Sequence, residues 1–138
     1  MNLSHIVSFA FGAALMLGAV AITQSRAEAP HHVYELRMYH TLPGKMDALK
    51  TRFRDHTIEI FNRHHMKSIG YWQPEENPES LLIYVLEHPS RQTADKNWTS
   101  FNADPEWQKV KAASEANGKI VEKVDRYFMD PTDFSALK

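Results

Sequence analysis

With 138 residues, 16 basic against 17 acidic side chains and no cysteine, the chain has room for one domain and lacks the basic excess that holds nucleic acid. It cannot be stapled by disulfides or use a thiol nucleophile, so packing must supply its stability.

The first segment is not part of the packed domain. Ile6 to Ile22 is an uncharged apolar run followed by small and polar residues, the pattern of a secretory signal. Small-x-small cleavage sites stand at Ser25-Arg26-Ala27 and Ala27-Glu28-Ala29; the first is preferred, because the second leaves Pro30 directly after the cut. Residues 1–27 are therefore read as a signal peptide and 28–138 as a periplasmic or secreted domain. The opening MNLSH carries no Lys or Arg, so the alternative is an uncleaved anchor, the run approaching the ~20 residues that span a bilayer. Only in that case is a membrane a partner, since no basic run offers a hold on a lipid surface.

From His32 the residues HVYELRMY alternate as a strand, with Glu35, Arg37 and Tyr39 on one face and Leu36, Met38 and His40 on the other. After the Pro43-Gly44 break, Met46, Leu49, Phe53, Thr57, Ile60 and Phe61 recur at steps of three and four, predicting a helix to about His64. Arg52 falls with the charged residues of its solvated side. A second strand is predicted over Lys67–Gln73. The wholly apolar run Leu81–Glu87 predicts a third, covered on both faces. Ser90 caps a second helix that buries Ala94, Trp98 and Phe101. Asp104-Pro105 opens a third, with Trp107, Val110 and Ala113 inward and a stop at Asn117-Gly118. Lys119–Met129 is the last strand.

The order β-α-β-β-α-α-β predicts an α+β, ferredoxin-like fold, a four-stranded antiparallel sheet whose second crossover helix is broken in two. Helices on one side leave the other side of the sheet bare, and the economical cover is a second copy related by a two-fold axis.

Three segments in order resemble the NIPSNAP family of the dimeric α/β-barrel group. These are Tyr34–Tyr39 (YELRMY) with Pro43-Gly44-Lys45, then Ile69-Gly70-Tyr71-Trp72, then Asp104-Pro105-Glu106-Trp107-Gln108. The resemblance runs from Val33 to Phe134. It implies a homodimer in which two four-stranded sheets face each other across a barrel, and it transfers no catalytic motif. In the wider barrel group some members bind haem through a histidine and others oxidise aromatic substrates without a cofactor.

With Leu36 and Met38 packed on the helices, Glu35, Arg37 and Tyr39 would point into the barrel, either as an ion pair that fixes the dimer register or as a polar anchor for a small ligand. His40 and His88 each close a strand, and Trp72, Tyr84 and Trp98 would line the cavity beside them. The ordinary alternative is strand-end histidines and core aromatics. His64-His65 reads as a helix C-cap, and His31-His32 as a solvated tail. No spacing suits a metal, and no cofactor is required. The expected function is an exported homodimer that binds a small apolar or aromatic molecule in the barrel. A haem-dependent or cofactor-free monooxygenase and a ligand-free interaction module are the alternatives.

Overall fold

The computed structural model describes residues 32–138; the expected signal segment, both cleavage sites and His31 lie outside the described residues. Four strands form one antiparallel sheet: β1 (Val33–Thr41), β2 (Lys67–Trp72), β3 (Leu81–His88) and β4 (Val121–Met129), in the spatial order β2-β3-β1-β4. That is the ferredoxin-like topology expected from the element order, with β1 and β3 central. Among the described residues, no helix is long and apolar enough to cross a membrane.

The first helix runs as α1 (Met46–Arg52), a π-helical turn over Phe53–Thr57, and α2 (Ile58–Arg63). Its apolar stripe is as read from the sequence: Leu49, Phe53, Ile60 and Phe61 are buried on the sheet. The π turn was not legible. It widens one turn so that residues five apart share a face, and the Thr57 hydroxyl donates to the Arg52 carbonyl at 3.1 Å. Arg52, one turn after Leu49 on the same side of α1, is buried, not solvated as its place among charged neighbours suggested.

Both later helices begin where their caps predict. The Ser90 hydroxyl accepts the Thr93 amide ahead of α3 (Arg91–Ala103), and the Asp104 carboxylate accepts the amides of Glu106 and Trp107 ahead of α4 (Pro105–Ser114). The chain leaves α4 through Gly118 at φ +101°, a left-handed conformation in which Gly avoids the Cβ clash. His64 is the C-cap residue of α2, and its ring ties that end to α3 and α4, 2.9 Å from the Ser100 hydroxyl and 2.7 Å from the Asp104 carboxylate. The His64 contact, joined by the two capping amides and Arg63, holds the Asp104 carboxyl well below the usual aspartate range.

The core lies between the sheet and the helices: Leu49, Phe53, Phe61, Met66, Leu82, Tyr84, Leu86, Trp98, Phe101 and Ile120 form one cluster. In helix α4, Trp107 and Val110 pack against the core as expected and Ala113 does not. Trp107 and Val110 are half-buried and Ala113 is exposed. The helix packs chiefly on α3, α1 and the π turn, so it rides above the sheet and leaves a gap beneath itself over β1 and β4.

The strand faces are the reverse of the arrangement that would aim Glu35 into a barrel. Tyr39 packs on Phe53 of the π turn, and Glu35 bonds Trp98 of α3, so Glu35, Arg37 and Tyr39 lie on the helix-covered side. Leu36, Met38 and His40 lie on the open side, in register with Val85, Ile83 and Leu81 of β3. The third strand is apolar on both faces for this reason. Leu82, Tyr84 and Leu86 are buried under helices, while Leu81, Ile83 and Val85 are only half-buried on a face without helices. Trp72 and Tyr127 stand on that same face, 51% and 54% exposed.

Candidate functional site

Glu35 is a fully buried carboxylate at the centre of β1. A charge in that position persists only when paired and hydrogen-bonded, and here each oxygen is occupied. Oε1 accepts from Arg37 Nη1 at 2.9 Å, with Arg126 Nε at 4.0 Å. Oε2 accepts the Trp98 indole N–H at 2.6 Å and lies 3.0 Å from His88 Nε2. An ionised carboxylate only accepts, so the proton of this last bond sits on His88 Nε2. Burial pushes the Glu35 carboxyl up; the bonds from His88, Trp98 and Arg37 outweigh it, and the group ends below the ordinary glutamate value.

Arg37 carries this network outward. Its guanidinium lies 4.1 Å from the centre of the Trp98 ring and 5.6 Å from that of Tyr39, both within cation–π range. Behind Tyr39, Tyr84 is buried and donates its hydroxyl proton to Tyr39 at 3.1 Å; burial holds the Tyr84 hydroxyl well above its usual pKa.

Arg37, Tyr39 and Trp98 form part of the wall of a cleft of about 460 Å³ between the α3–α4 pair and strands β1 and β4. Phe101 and Trp107 supply more aromatic wall; Arg52, Lys111 and Arg126 add charge. The cleft therefore offers ring faces, fixed donors and positive charge in one concavity, a combination suited to orienting a small molecule.

Of the eight residues singled out from the sequence, Arg37, Tyr39 and Trp98 line this cleft, and Glu35 and His88 stand behind them as their support. Tyr84 is core. His40 and Trp72 belong to the opposite face: His40 is buried against Asp125 at 2.8 Å with Glu79 at 3.6 Å, and Trp72 is open to solvent. Sequence reasoning missed Arg52, Lys111, Trp107 and Arg126. Trp107 was visible in the Asp-Pro-Glu-Trp segment as a core residue; Arg126 enters only through its register opposite Arg37, which pairing alone determines.

The cleft offers no histidine to a haem iron. His88 is buried with Nε2 committed to Glu35, His40 is committed to Asp125, and neither lines the cleft. Among the described residues no three metal-ligating side chains converge.

The NIPSNAP family model matches residues 34–136. The chain belongs to the NIPSNAP family. Among solved structures it is similar to a NIPSNAP family protein from Agrobacterium tumefaciens, at 25% identity and TM-score 0.70, covering 78% of this chain and 100% of that one. A NIPSNAP-like domain protein from Burkholderia xenovorans gives 19% identity and TM-score 0.69, over 80% of this chain and 94% of that one. An antibiotic biosynthesis monooxygenase shares the fold more distantly, at 14% identity and TM-score 0.51, over 72% of this chain and 98% of that one. No curated protein matches the sequence. The NIPSNAP resemblance of the three sequence segments thus holds from residue 34 to residue 136.

Proposed function

We propose that this NIPSNAP domain is an exported homodimer that binds a small molecule with an aromatic or apolar part, and that the ligand sits in the cleft beneath α3 and α4 of each subunit. The supporting observation is the cleft itself, where Arg37 is held over Trp98 by a buried carboxylate that no surface role requires. Binding sites are built by fixing a few polar groups rigidly among apolar walls. The location differs from the barrel interior expected from the sequence, because Glu35, Arg37 and Tyr39 face the helices.

The dimer reading rests on the other side of the sheet. Leu36, Met38, Ile83, Val85, Trp72, Tyr127 and Met129 make a face that is apolar and half-exposed in the single chain. A second copy of the same face buries it with one self-complementary surface. Export rests on the sequence pattern of residues 1–27. The oxidoreductase reading draws on likeness of fold alone, and neither His40 nor His88 lines the cleft.

Native mass spectrometry of the exported chain, purified without refolding, tests the proposal. The expected result is a dimer carrying one small added mass per subunit, lost in Trp98→Ala. A monomer contradicts the assembly, and an adduct retained in Trp98→Ala moves the ligand elsewhere.

A further inference from the structure

The cleft holds more positive charge than its own residues neutralise. Six cationic side chains line it against two carboxylates, Glu115 and Glu122; with Glu35 paired to Arg37 and Asp125 to Lys123 just outside the lining, cations still outnumber carboxylates, although the whole chain carries a net charge of only −1. Arg37 has Glu35 as a close partner. Arg52 does not have an equivalent one: its side chain is 3% exposed, yet it reaches Glu115 only at 3.4 Å and Ser114 at 3.3 Å, both through Nη1.

A guanidinium has five donors, and the buried Nε atoms of both Arg37 and Arg52 have no partner. Leaving a buried donor of a charged group unpaired is costly, and both arginines border the cleft, where Arg52 keeps donor capacity beyond its contacts with Glu115 and Ser114. Further out, Lys119 spends its ammonium on a main-chain carbonyl, which satisfies a hydrogen bond and leaves the charge. Lys111 has no partner among the described residues. Trp98, Trp107, Phe101 and Tyr39 add flat walls.

We infer that the cleft takes a small planar carboxylate, its anionic group held at Arg52 and Lys111 and its flat body against Trp98 and Trp107. This rests on the cleft being a binding site and names what it binds. The planar fork of arginine matches a carboxylate two bonds at a time, and the ring faces accept a conjugated or aromatic body. Arg52 also borders a groove of about 560 Å³ between α1 and α4, lined by Ala48, Val110 and Ala113 with Lys109 and Glu106, but that groove lacks the tryptophan, tyrosine and phenylalanine walls.

The three tryptophans give a site-specific test, because Trp98 and Trp107 line the cleft and Trp72 stands on the opposite face. Cinnamate, and its neutral counterpart cinnamyl alcohol, are titrated into the full exported chain while the three indole N–H resonances are followed by NMR. Cinnamate is expected to shift Trp98 and Trp107 and leave Trp72, with affinity about tenfold above that of the alcohol. Lys111→Gln, an exposed change that leaves the fold alone, is expected to weaken cinnamate about threefold; Arg52→Gln is expected to abolish its binding. Equal binding of the alcohol, or cinnamate binding unchanged in Lys111→Gln and in folded Arg52→Gln, overturns the carboxylate and leaves the cleft a binding site. Silence of Trp98 and Trp107 toward both probes overturns the carboxylate alone if native mass spectrometry retains an adduct, and the cleft as well if it finds bare protein.

Discussion

The two faces of the sheet invert the usual distribution of polarity. Under the helices, where apolar residues are the rule, lie Glu35, Arg37 and His88. On the open face, where polar residues are the rule, lie Leu36, Met38, Ile83, Val85, Trp72 and Tyr127. Each inversion has a physical consequence. A buried ionic network seldom adds stability over a well-packed apolar substitute, so its rigidity is the gain, and it fixes Arg37 against Trp98 at a cleft. An exposed apolar face gains nothing in water until something covers it. On the proposed reading one side of the sheet serves a ligand and the other a partner, with β1 supplying alternate residues to both.

The comparison breaks most sharply at Glu35. Glu35→Ala removes one acceptor from three donors, those of Arg37, Trp98 and His88. Stranding buried charge in this way costs about 3–5 kcal/mol, to be read from urea unfolding; a loss below ~1 kcal/mol would show that water reaches these groups and that the network is not rigid. The same group has a pH signature. Because the folded carboxyl lies below the ordinary glutamate value, its stabilisation is complete above the unfolded value of about 4.5 and is lost as pH falls through the folded one. Glu35→Gln should lack that portion of the acid limb.

On the open face, Ile83→Asp places a charge at the centre of the half-buried apolar patch, opposite Met38. The proposed dimer is expected to weaken by at least about 100-fold, equivalent to roughly 2.7 kcal/mol, as measured by sedimentation. The Trp98 and Trp107 resonances should hold their positions, since their side of the sheet is untouched. An unaltered dimer would place the subunit contact somewhere other than this face.

How far these faces were legible from sequence depends on how local their signals are. Alternation put Glu35, Arg37 and Tyr39 together and set Leu36, Met38 and His40 against them, because side-chain direction in a strand has period two. Which set meets the helices is a matter of packing. The sequence offered Leu36 and Met38 as the better core residues by polarity, and the chain instead buried Glu35 by giving it Trp98 and His88 as partners. Those partners lie 63 and 53 residues away, beyond any local pattern. Caps were legible at Ser90 and Asp104, where a side chain and an amide two or three residues on suffice. Arg52 was not, because its charge predicts exposure even though it stands three residues after Leu49, on the buried side of α1.

The finest test of separable faces is Gly70→Ala. Trp72 lies over Gly70 on the open side, so closely that an added Cβ would stand 2.7 Å from two carbons of its ring. Either the indole moves or the strand does. Because the ring is half-exposed, moving it is the cheaper course, and the lost contact is offset in part by the lower entropy of an unfolded chain with Ala in place of Gly. The net change should therefore be about 1 kcal/mol or less, too small to identify by unfolding alone. Its trace is spectroscopic: the Trp72 indole resonance should shift while those of Trp98 and Trp107 stay. If the cleft tryptophans respond as strongly as Trp72, the disturbance has crossed β3 and β1. Ligand and partner would then be read by one coupled sheet, and occupancy of the cleft would alter the strength of the dimer.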